Sequence, residues 1–155
     1  MADVVDVATR SLMMSGIRGA NTHPEMKVKS ILHRLGFRFR IHQRNMAGTP
    51  DIVLPRFRAV VFVNGCFSHG HQCHLFKWPA SRTDFWRAKI GRNVENDSKA
   101  IAALRVAGWR TGTIWECAMK GRTRLDDETI GSLLADWLRN GQTQIEFIGT
   151  ERSKK

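Results

Sequence analysis

The segment from residue 64 to residue 82 constrains the fold of this chain more than any other part of its sequence. It shows neither helical nor strand periodicity and is rich in Gly, His, Cys and Pro. Connections within a compact domain are usually about 4 to 6 residues long, so a loop of this length needs a cross-link or a function of its own. Two of the three cysteines and three histidines lie between residues 66 and 74, and they offer the means of a cross-link.

These residue types predict a zinc site. In an extended segment His71 and Cys73 point to the same side, so the pair can reach one ion. Cys66 and Cys117 are the remaining cysteines, and an ion held by all three would tie the loop to the next core strand. Spacing alone leaves three candidates for the nitrogen ligand: His69, His71 and His74. The alternative is that the cysteines are buried small hydrophobic residues and the histidines are surface groups.

Hydrophobic periodicity predicts how the rest of the chain is organised around this loop. The expected order is helix, three strands, loop, helix, strand, helix and strand, over residues 24–35, 38–44, 51–54, 59–63, 84–107, 109–116, 126–139 and 144–148. The run 59–63 is apolar and β-branched, as in a central strand buried on both faces. Thr83 is expected to cap the long helix. The pattern predicts one domain, residues 1–155, of α/β or α+β class with a mixed central sheet flanked by helices.

The charge of the chain indicates a polyanionic partner. Lys and Arg number 25 against 14 Asp and Glu, and the net charge is +11. The basic residues recur along the whole chain, which favours nucleic acid over a merely solubilising surface. No apolar run reaches the length of a membrane helix, and the first residues lack the regions of a signal peptide. A cytoplasmic location is expected, and in that compartment disulfides are a poor explanation for three cysteines.

A second candidate site begins at Asp51. This residue follows Pro50 at the start of one predicted strand, and if that strand pairs with the next as a hairpin, its carboxylate lies near Val63 and Asn64. Phosphodiester hydrolysis needs a hard cation and a group that orients or deprotonates water. Asp51 would hold the cation, and His69, if it is not a zinc ligand, would act as the base. Taken alone, an Asp after Pro is more often a turn or capping residue.

Short motifs are spread over residues 8–122, and they include Thr-Arg-Ser at 9–11, Gly-Thr-Pro-Asp at 48–51, Gly-Cys-Phe at 65–67, His-Gly-His at 69–71 and Trp-Glu-Cys at 115–117. In order and spacing these motifs resemble those of the very short patch repair (Vsr) endonucleases. The resemblance implies a restriction-endonuclease-like fold. It also implies a bacterial enzyme that nicks one DNA strand beside a T·G mismatch left by deamination of 5-methylcytosine. An N-terminal DNA-contacting arm would cover about residues 1–20.

The resemblance also implies roles for individual residues. The Mg²⁺ ligands would be Asp51 and the backbone carbonyl of Val63, and the other catalytic residues would be His69, which activates water, and Glu25, which supports the water shell of the metal. The ligands of a structural zinc ion would be Cys66, His71, Cys73 and Cys117. The wedge residues that enter the base stack would be Met14, Phe67 and Trp86, and the mismatch-reading pair would be Lys89 and Asn93. For Phe67 and Trp86 the alternative is core packing.

Two positions depart from the family pattern. Asn64 stands where the family usually has His and cannot shuttle a proton, and Ser68 stands where it usually has Trp, which removes a surface for base stacking. Two other functions therefore stay open: a related restriction or repair nuclease with another DNA target, and a catalytically weakened zinc-containing DNA-binding module. A monomer is expected, with mismatch-repair proteins as candidate partners. The recognised bases and the nicked strand do not follow from the sequence.

Overall fold

A computed structural model of the protein describes residues 23–150, and that range contains three α-helices and five strands. The helices are α1 (His23–Arg34), α2 (Thr83–Val106) and α3 (Asp127–Asn140). The strands are β1 (Arg40–Ile41), β2 (Ile52–Leu54), β3 (Ala59–Asn64), β4 (Arg110–Trp115) and β5 (Gln144–Phe147). The predicted order of elements is confirmed. The expected N-terminal arm, with Met14, lies outside the described residues.

The five strands form one mixed sheet in the order β1-β2-β3-β4-β5. The first three strands pair antiparallel, whereas β4 runs parallel to both β3 and β5. With helices packed on it, this sheet confirms the predicted α+β class. Asn64 is in register with Trp115, so β3 and β4 end side by side. The segments that follow these two strands therefore start from the same edge of the sheet.

Alternate residues of the central strands face opposite sides of the sheet, and both sides are covered. On one side Ile52, Leu54 and Val61 pack with α1 and α3 in the larger core, which includes Val28, Leu32, Leu134 and Trp137. On the other side Val53 and Val60 pack with Leu104 of α2. The expected burial of 59–63 holds for Ala59, Val60 and Val61, which are fully buried. Among the described residues no helix is long and apolar enough to cross a membrane.

Three details differ from the prediction. Strand β1 has two residues instead of seven: it starts only at Arg40, and it ends at Ile41 because His42 has a φ of +46° and leaves the extended conformation. Thr83 does not cap α2: it is the first helical residue, and its hydroxyl donates to the Pro79 carbonyl oxygen at 3.1 Å. Three apolar residues of the predicted helices lie substantially exposed although helical periodicity favours their burial, namely Leu35, Val94 and Leu133.

Candidate metal centre and active site

Four side chains converge beside the carboxyl ends of β3 and β4. The ligand atoms of Cys66, His71, Cys73 and Cys117 all lie within 4.8 Å of one another. The His71 Nδ1 atom is 3.5 Å from the Cys66 Sγ atom and 3.8 Å from the Cys117 Sγ atom. Zinc–sulfur and zinc–nitrogen bonds of about 2.0 to 2.3 Å in a tetrahedron place neighbouring ligand atoms roughly 3.5 to 3.8 Å apart. This cluster can hold a metal ion.

The parallel pairing of β3 and β4 brings this cluster together. Cys66 follows β3 and Cys117 follows β4, so residues 51 positions apart in sequence meet at one edge of the sheet. The Cys117 backbone N–H donates to the Cys66 Sγ atom at 3.3 Å, and the Leu75 N–H donates to the Cys73 Sγ atom at 3.3 Å. The Glu116 carboxylate accepts from the Cys66 N–H at 3.1 Å. The two N–H···Sγ contacts orient the sulfur atoms of Cys66 and Cys73, and the Glu116 contact holds the backbone of Cys66.

Burial adjusts the protonation of the cluster. It raises the pKa of the Cys66 thiol and of the Cys117 thiol, because thiolates are poorly solvated there. Burial also lowers the pKa of His71, which keeps the ring neutral, as a metal ligand must be. The His71 ring stacks on Trp115 with a centroid distance of 4.3 Å, and this contact fixes the plane of the ring. A bound metal cation would offset the negative charge of two buried thiolates.

The structure separates the three histidines that spacing alone left equivalent. His71 joins the cysteines, whereas His69 points its Nδ1 atom at the Asp97 carboxylate, 2.5 Å away. His74 lies against Gly121, and its buried Nε2 atom has no hydrogen-bond partner within residues 23–150. His69 is therefore outside the cysteine cluster and available for another role.

A second group of ligand atoms surrounds Asp51. Glu25, His42 and Asp51 each offer an atom within 4.8 Å of the others. Strands β2 and β3 form the expected antiparallel hairpin, and the Asp51 Oδ2 atom accepts from the Val63 N–H at 2.7 Å. The position of Asp51 beside the end of β3 is thus confirmed. Glu25 is 2% exposed although it is an acid, and it lies in α1 against this group.

The environment of Asp51 favours a bound cation. The pKa of Asp51 is raised to about 6: burial raises it most, the hydrogen bond from the Val63 N–H lowers it, and the Glu25 carboxylate raises it. Glu25 itself is bonded through Oε2 to His42 Nε2 at 2.6 Å and to Lys29 Nζ at 2.8 Å. Buried carboxylates are stable when they are paired with cations or coordinate a metal. Carboxylate oxygens are the ligands that Mg²⁺ and Ca²⁺ prefer.

A cavity of about 310 Å³ connects Asp51 with His69. Its lining includes Asp51, Val63, Asn64, His69 and Asp97. Because the His69 Nδ1 atom is engaged by Asp97, Nε2 is the ring nitrogen left to exchange a proton. The cavity therefore holds a carboxylate able to anchor a cation and a histidine oriented by a second carboxylate.

The sequence patterns did not identify Asp97 or His42 as site residues. Asp97 lies in α2, 28 residues after His69, and the two meet because the loop packs on that helix at Gly70, which has a φ of +65°. A side chain at Gly70 would come within 3.0 Å of Ile90. His42 is 17 residues from Glu25. A pairing of His with Asp or Glu at such separations leaves no periodic signal in sequence.

Asn64 and Ser68, the two departures from the family pattern, have different surroundings. Asn64 is 9% exposed at the end of β3 and lines the 310 Å³ cavity as well as a neighbouring one that shares His69 and Asp97. Ser68 is exposed, and its carbonyl oxygen accepts from the Asn93 side chain at 2.9 Å. A change at position 64 thus acts on the cavity itself, and a change at position 68 acts on the surface.

The loop and helix that carry His69 and Asp97 also carry a surface of aromatic and basic side chains. Phe67 packs edge-on against Trp86 with a centroid distance of 5.2 Å, and both are half-buried and outside the core clusters. Neither residue therefore belongs to the hydrophobic core of the described residues, and each packs against other aromatic rings. The surface continues through further ring contacts and cation–π pairs that involve Phe76, Trp78, Phe85, Arg82 and Arg87. Such surfaces stack on bases and bind phosphates. The exposed Lys89 lies on the same helix, α2.

Comparisons with known proteins agree with this geometry. A family model described as DNA mismatch endonuclease Vsr matches residues 2–75. The chain is 46% identical to the DNA mismatch endonuclease Vsr of Escherichia coli (strain K12), over 96% of this chain and 97% of that protein. It is 44% identical to the type II nicking enzyme V.XorIIP of Xanthomonas oryzae pv. oryzae, over 77% and 88%. It is 39% identical to the type II nicking enzyme V.NmeAIP of Neisseria meningitidis serogroup A, over 79% and 87%.

Proposed function

Because the chain belongs to the Vsr family of DNA mismatch endonucleases, and is therefore an endodeoxyribonuclease, we propose that it nicks one strand of duplex DNA beside a T·G mismatch. The observation that carries this proposal is the single cavity shared by Asp51 and the His69–Asp97 pair, whose loop and helix also carry an aromatic and basic surface. The E. coli relative is a DNA mismatch endonuclease, which supports a mismatch as the target. The resemblance found in the sequence motifs is confirmed.

Two metal ions fit the two clusters. The thiol and imidazole donors of Cys66, His71, Cys73 and Cys117 suit zinc, and an ion there would be structural because four protein ligands leave no open position. The oxygen donors around Asp51 suit Mg²⁺, held by Asp51 and the Val63 carbonyl with Glu25 supporting its water shell. When bound, this cation would stabilise the negative charge that develops on the phosphate during hydrolysis.

The protein side chains then divide the remaining work. His69 accepts the proton of the attacking water through Nε2, and Asp97 holds the ring in the required tautomer through Nδ1. The Val63 N–H fixes the Asp51 carboxylate in one orientation. Asn64 borders the same cavity but cannot donate and accept a proton in turn. Among the described residues, His69 is the one histidine that lines this cavity, so proton transfer depends on it.

The surface around Phe67 and Trp86 would receive the mismatched step. Apolar side chains inserted beside a base step unstack it at a cost of a few kcal/mol, and a mispair lowers that cost. Lys89 and Asn93 would read the mismatch. Asn93 donates one N–H to Ser68, which leaves its carbonyl oxygen and second N–H for a base edge. Met14 would act as a third wedge from the arm at residues 1–20.

We place the protein in the bacterial cytoplasm, because its relatives are bacterial and its proposed substrate is DNA. It would act as a monomer of one domain, and mismatch-repair proteins are candidate partners. The relatives named as type II nicking enzymes favour a second candidate function, nicking at another DNA target.

One assay separates these functions. The purified protein is incubated with end-labelled duplexes that carry a T·G pair, another mispair or only Watson–Crick pairs, with and without Mg²⁺. We expect Mg²⁺-dependent nicking of one strand beside T·G, loss of nicking in Asp51→Ala with binding retained, and a loss of about 10² to 10⁴ in rate in His69→Ala.

The other outcomes have definite meanings. Preferred cutting of fully paired DNA would favour the second function, and binding without any nicking would favour a DNA-binding module. If Asp51→Ala lost binding and nicking equally, Asp51 would be structural. A normal rate in His69→Ala would place the base elsewhere.

A further inference from the structure

We propose that His42 is a direct nitrogen ligand of the catalytic cation, so that this site binds Mn²⁺ more tightly, relative to Mg²⁺, than an all-oxygen site would. This inference rests on the proposed function, because it assumes that Asp51 holds a divalent cation. His42 belongs to the same cluster as Asp51 and Glu25, with ligand atoms within 4.8 Å.

The strand register places His42 beside Asp51. Ile41 of β1 is paired with Ile52 of β2 in antiparallel register, so the next pair along the two chains is His42 with Asp51. The His42 N–H approaches the Asp51 carbonyl oxygen at 3.4 Å. This backbone contact holds the two residues next to each other at the end of the β1–β2 pair. Their side chains offer ligand atoms to the same cluster, so both reach one place.

The contact between His42 and Glu25 has the form found behind metal-binding histidines. A histidine that ligates a metal usually donates its other ring N–H to a carboxylate, which fixes the tautomer and the ring orientation. Here the His42 Nε2 atom is 2.6 Å from Glu25 Oε2. Glu25 is buried and also paired with Lys29, so its position is well determined. Donation through Nε2 leaves the Nδ1 lone pair for a cation.

The backbone of His42 is a second, independent observation. Its φ of +46° lies in the left-handed region, which is uncommon for residues other than glycine. Residues held in such conformations cluster at active sites and ligand-binding positions, where the surrounding structure maintains them. At residue 42 the chain leaves the extended conformation of β1 directly beside Asp51. The side chain is 25% exposed, which leaves room for a ligand to reach it.

A nitrogen ligand changes which cation the site prefers. Imidazole suits first-row transition metals, whereas Mg²⁺ prefers oxygen ligands and retains most of its water. Lys29 offsets the charge of Glu25, so Asp51 is the main anionic ligand and His42 adds a neutral one. The expected result is a site in which the advantage of Mn²⁺ over Mg²⁺ depends on His42.

The test measures metal binding with Mn²⁺ alone as the probe, in the full chain purified with the metal of its cysteine cluster. His42→Asn is the main variant, because Asn tolerates a positive φ and has no ring nitrogen. We expect its Mn²⁺ affinity to fall about 10- to 100-fold, the range found when the support of a metal ligand is lost, with a change of less than about threefold for Mg²⁺. His33→Asn, an exposed site in α1, is the matched control and should leave both affinities unchanged.

Electron spin echo measurements on bound Mn²⁺ provide a readout that does not depend on activity. The unmodified protein should show a ¹⁴N coupling typical of a coordinated imidazole, which His69→Asn retains and His42→Asn loses. Absence of this coupling in the unmodified protein would overturn the proposal even if every His42 variant failed to fold. Its persistence in His42→Asn or His42→Gln would also overturn it.

A last variant distinguishes this failure from failure of the proposed function. If Asp51→Asn abolishes Mn²⁺ binding while His42→Asn changes nothing, only the role of His42 is wrong. If Asp51→Asn binds Mn²⁺ and nicks DNA like the unmodified protein, the cation site proposed above is wrong as well.

Discussion

At the scale of single residues, Asp51 links the chemistry of the site to the stability of the fold. Its pKa is raised to about 6, chiefly by burial, from an ordinary value of 3.8. A carboxyl with a raised pKa in the folded state stabilises the fold below its unfolded pKa. That contribution is lost as the pH rises through the folded value. The charged form therefore costs stability at neutral pH unless a cation offsets it.

Asp51→Asn should accordingly stabilise the protein when no Mg²⁺ or Mn²⁺ is added. Asn still accepts from the Val63 N–H but carries no charge. We expect an increase in unfolding free energy of up to about 3 kcal/mol at pH 7.5 and roughly half of that at pH 5. Denaturant titrations at the two pH values measure it. A variant less stable than the unmodified protein at both values would contradict this prediction.

Asn64 is the second residue whose replacement gives a defined outcome. It borders the cavity that holds His69, so a histidine there adds a group able to exchange protons. We expect Asn64→His to raise the single-turnover nicking rate by about tenfold or more without changing affinity for DNA, and to alter the pH profile of the rate. Asn64→Gln is the control for side-chain size. An unchanged rate and pH profile would mean that position 64 has no acid or base role.

At the scale of structural elements, the long loop after β3 depends on the cysteine cluster. Residues 65–82 contain neither helix nor strand; Cys66 and His71 contact Cys117, which follows β4, and the rings of His69 and His71 contact Trp115 within β4. Metal binding supplies folding free energy to segments that lack a core of their own. The loop also carries Phe67 and His69, so its order affects both the DNA surface and the catalytic cavity.

Cys117→Ser should therefore release the metal and loosen the loop. We expect the metal content to fall from one ion per chain towards zero, and proteolytic cleavage to become faster within residues 65–82. Elemental analysis and limited proteolysis followed by mass spectrometry measure the two effects. His74→Gln is the matched control, because His74 lies in the same loop but outside the cluster. Loss of metal in His74→Gln with retention in Cys117→Ser would require a different ligand set.

At the scale of the whole molecule, the net charge of +11 makes DNA binding dependent on salt. Each phosphate contact contributes about 0.9 to the slope of log affinity against log salt concentration. Arg87, held over Trp78 beside the proposed wedge residues, is placed for such a contact. We expect Arg87→Ala to reduce the slope by about 1 and to weaken T·G and fully paired duplexes equally.

Lys89→Ala provides the contrast in the same helix. If Lys89 reads the mismatch, its loss should weaken binding to the T·G duplex more than binding to the paired duplex. Fluorescence anisotropy at several salt concentrations measures both variants. A loss of T·G preference in Arg87→Ala and not in Lys89→Ala would mean that Arg87 reads the mismatch and that Lys89 does not.

Much of the molecule follows from the sequence by itself. Hydrophobic periodicity is a local property, and it predicted the order of helices and strands and the buried central strand. The types and density of residues in the loop predicted a metal cluster, and the joint motifs predicted the family. The hairpin of β2 and β3, with its short connection, also placed Asp51 beside the end of β3. These inferences succeed because each depends on residues close in sequence or on residue type alone.

Other features were decided by the tertiary structure. The choice of His71 over His69 and His74 depends on the parallel pairing of β3 and β4, which brings Cys66 and Cys117 to one edge. The His69–Asp97 pair depends on how the loop packs on α2.

The contacts around Glu25 and His42 depend on the register of β1 and on the docking of α1. These residues carry no periodic signal, because the distances between them are set by packing across the sheet. The sequence by itself therefore determined the residue types and the order of helices and strands. The tertiary structure decided which partner each polar side chain contacts, because packing across the sheet sets those distances.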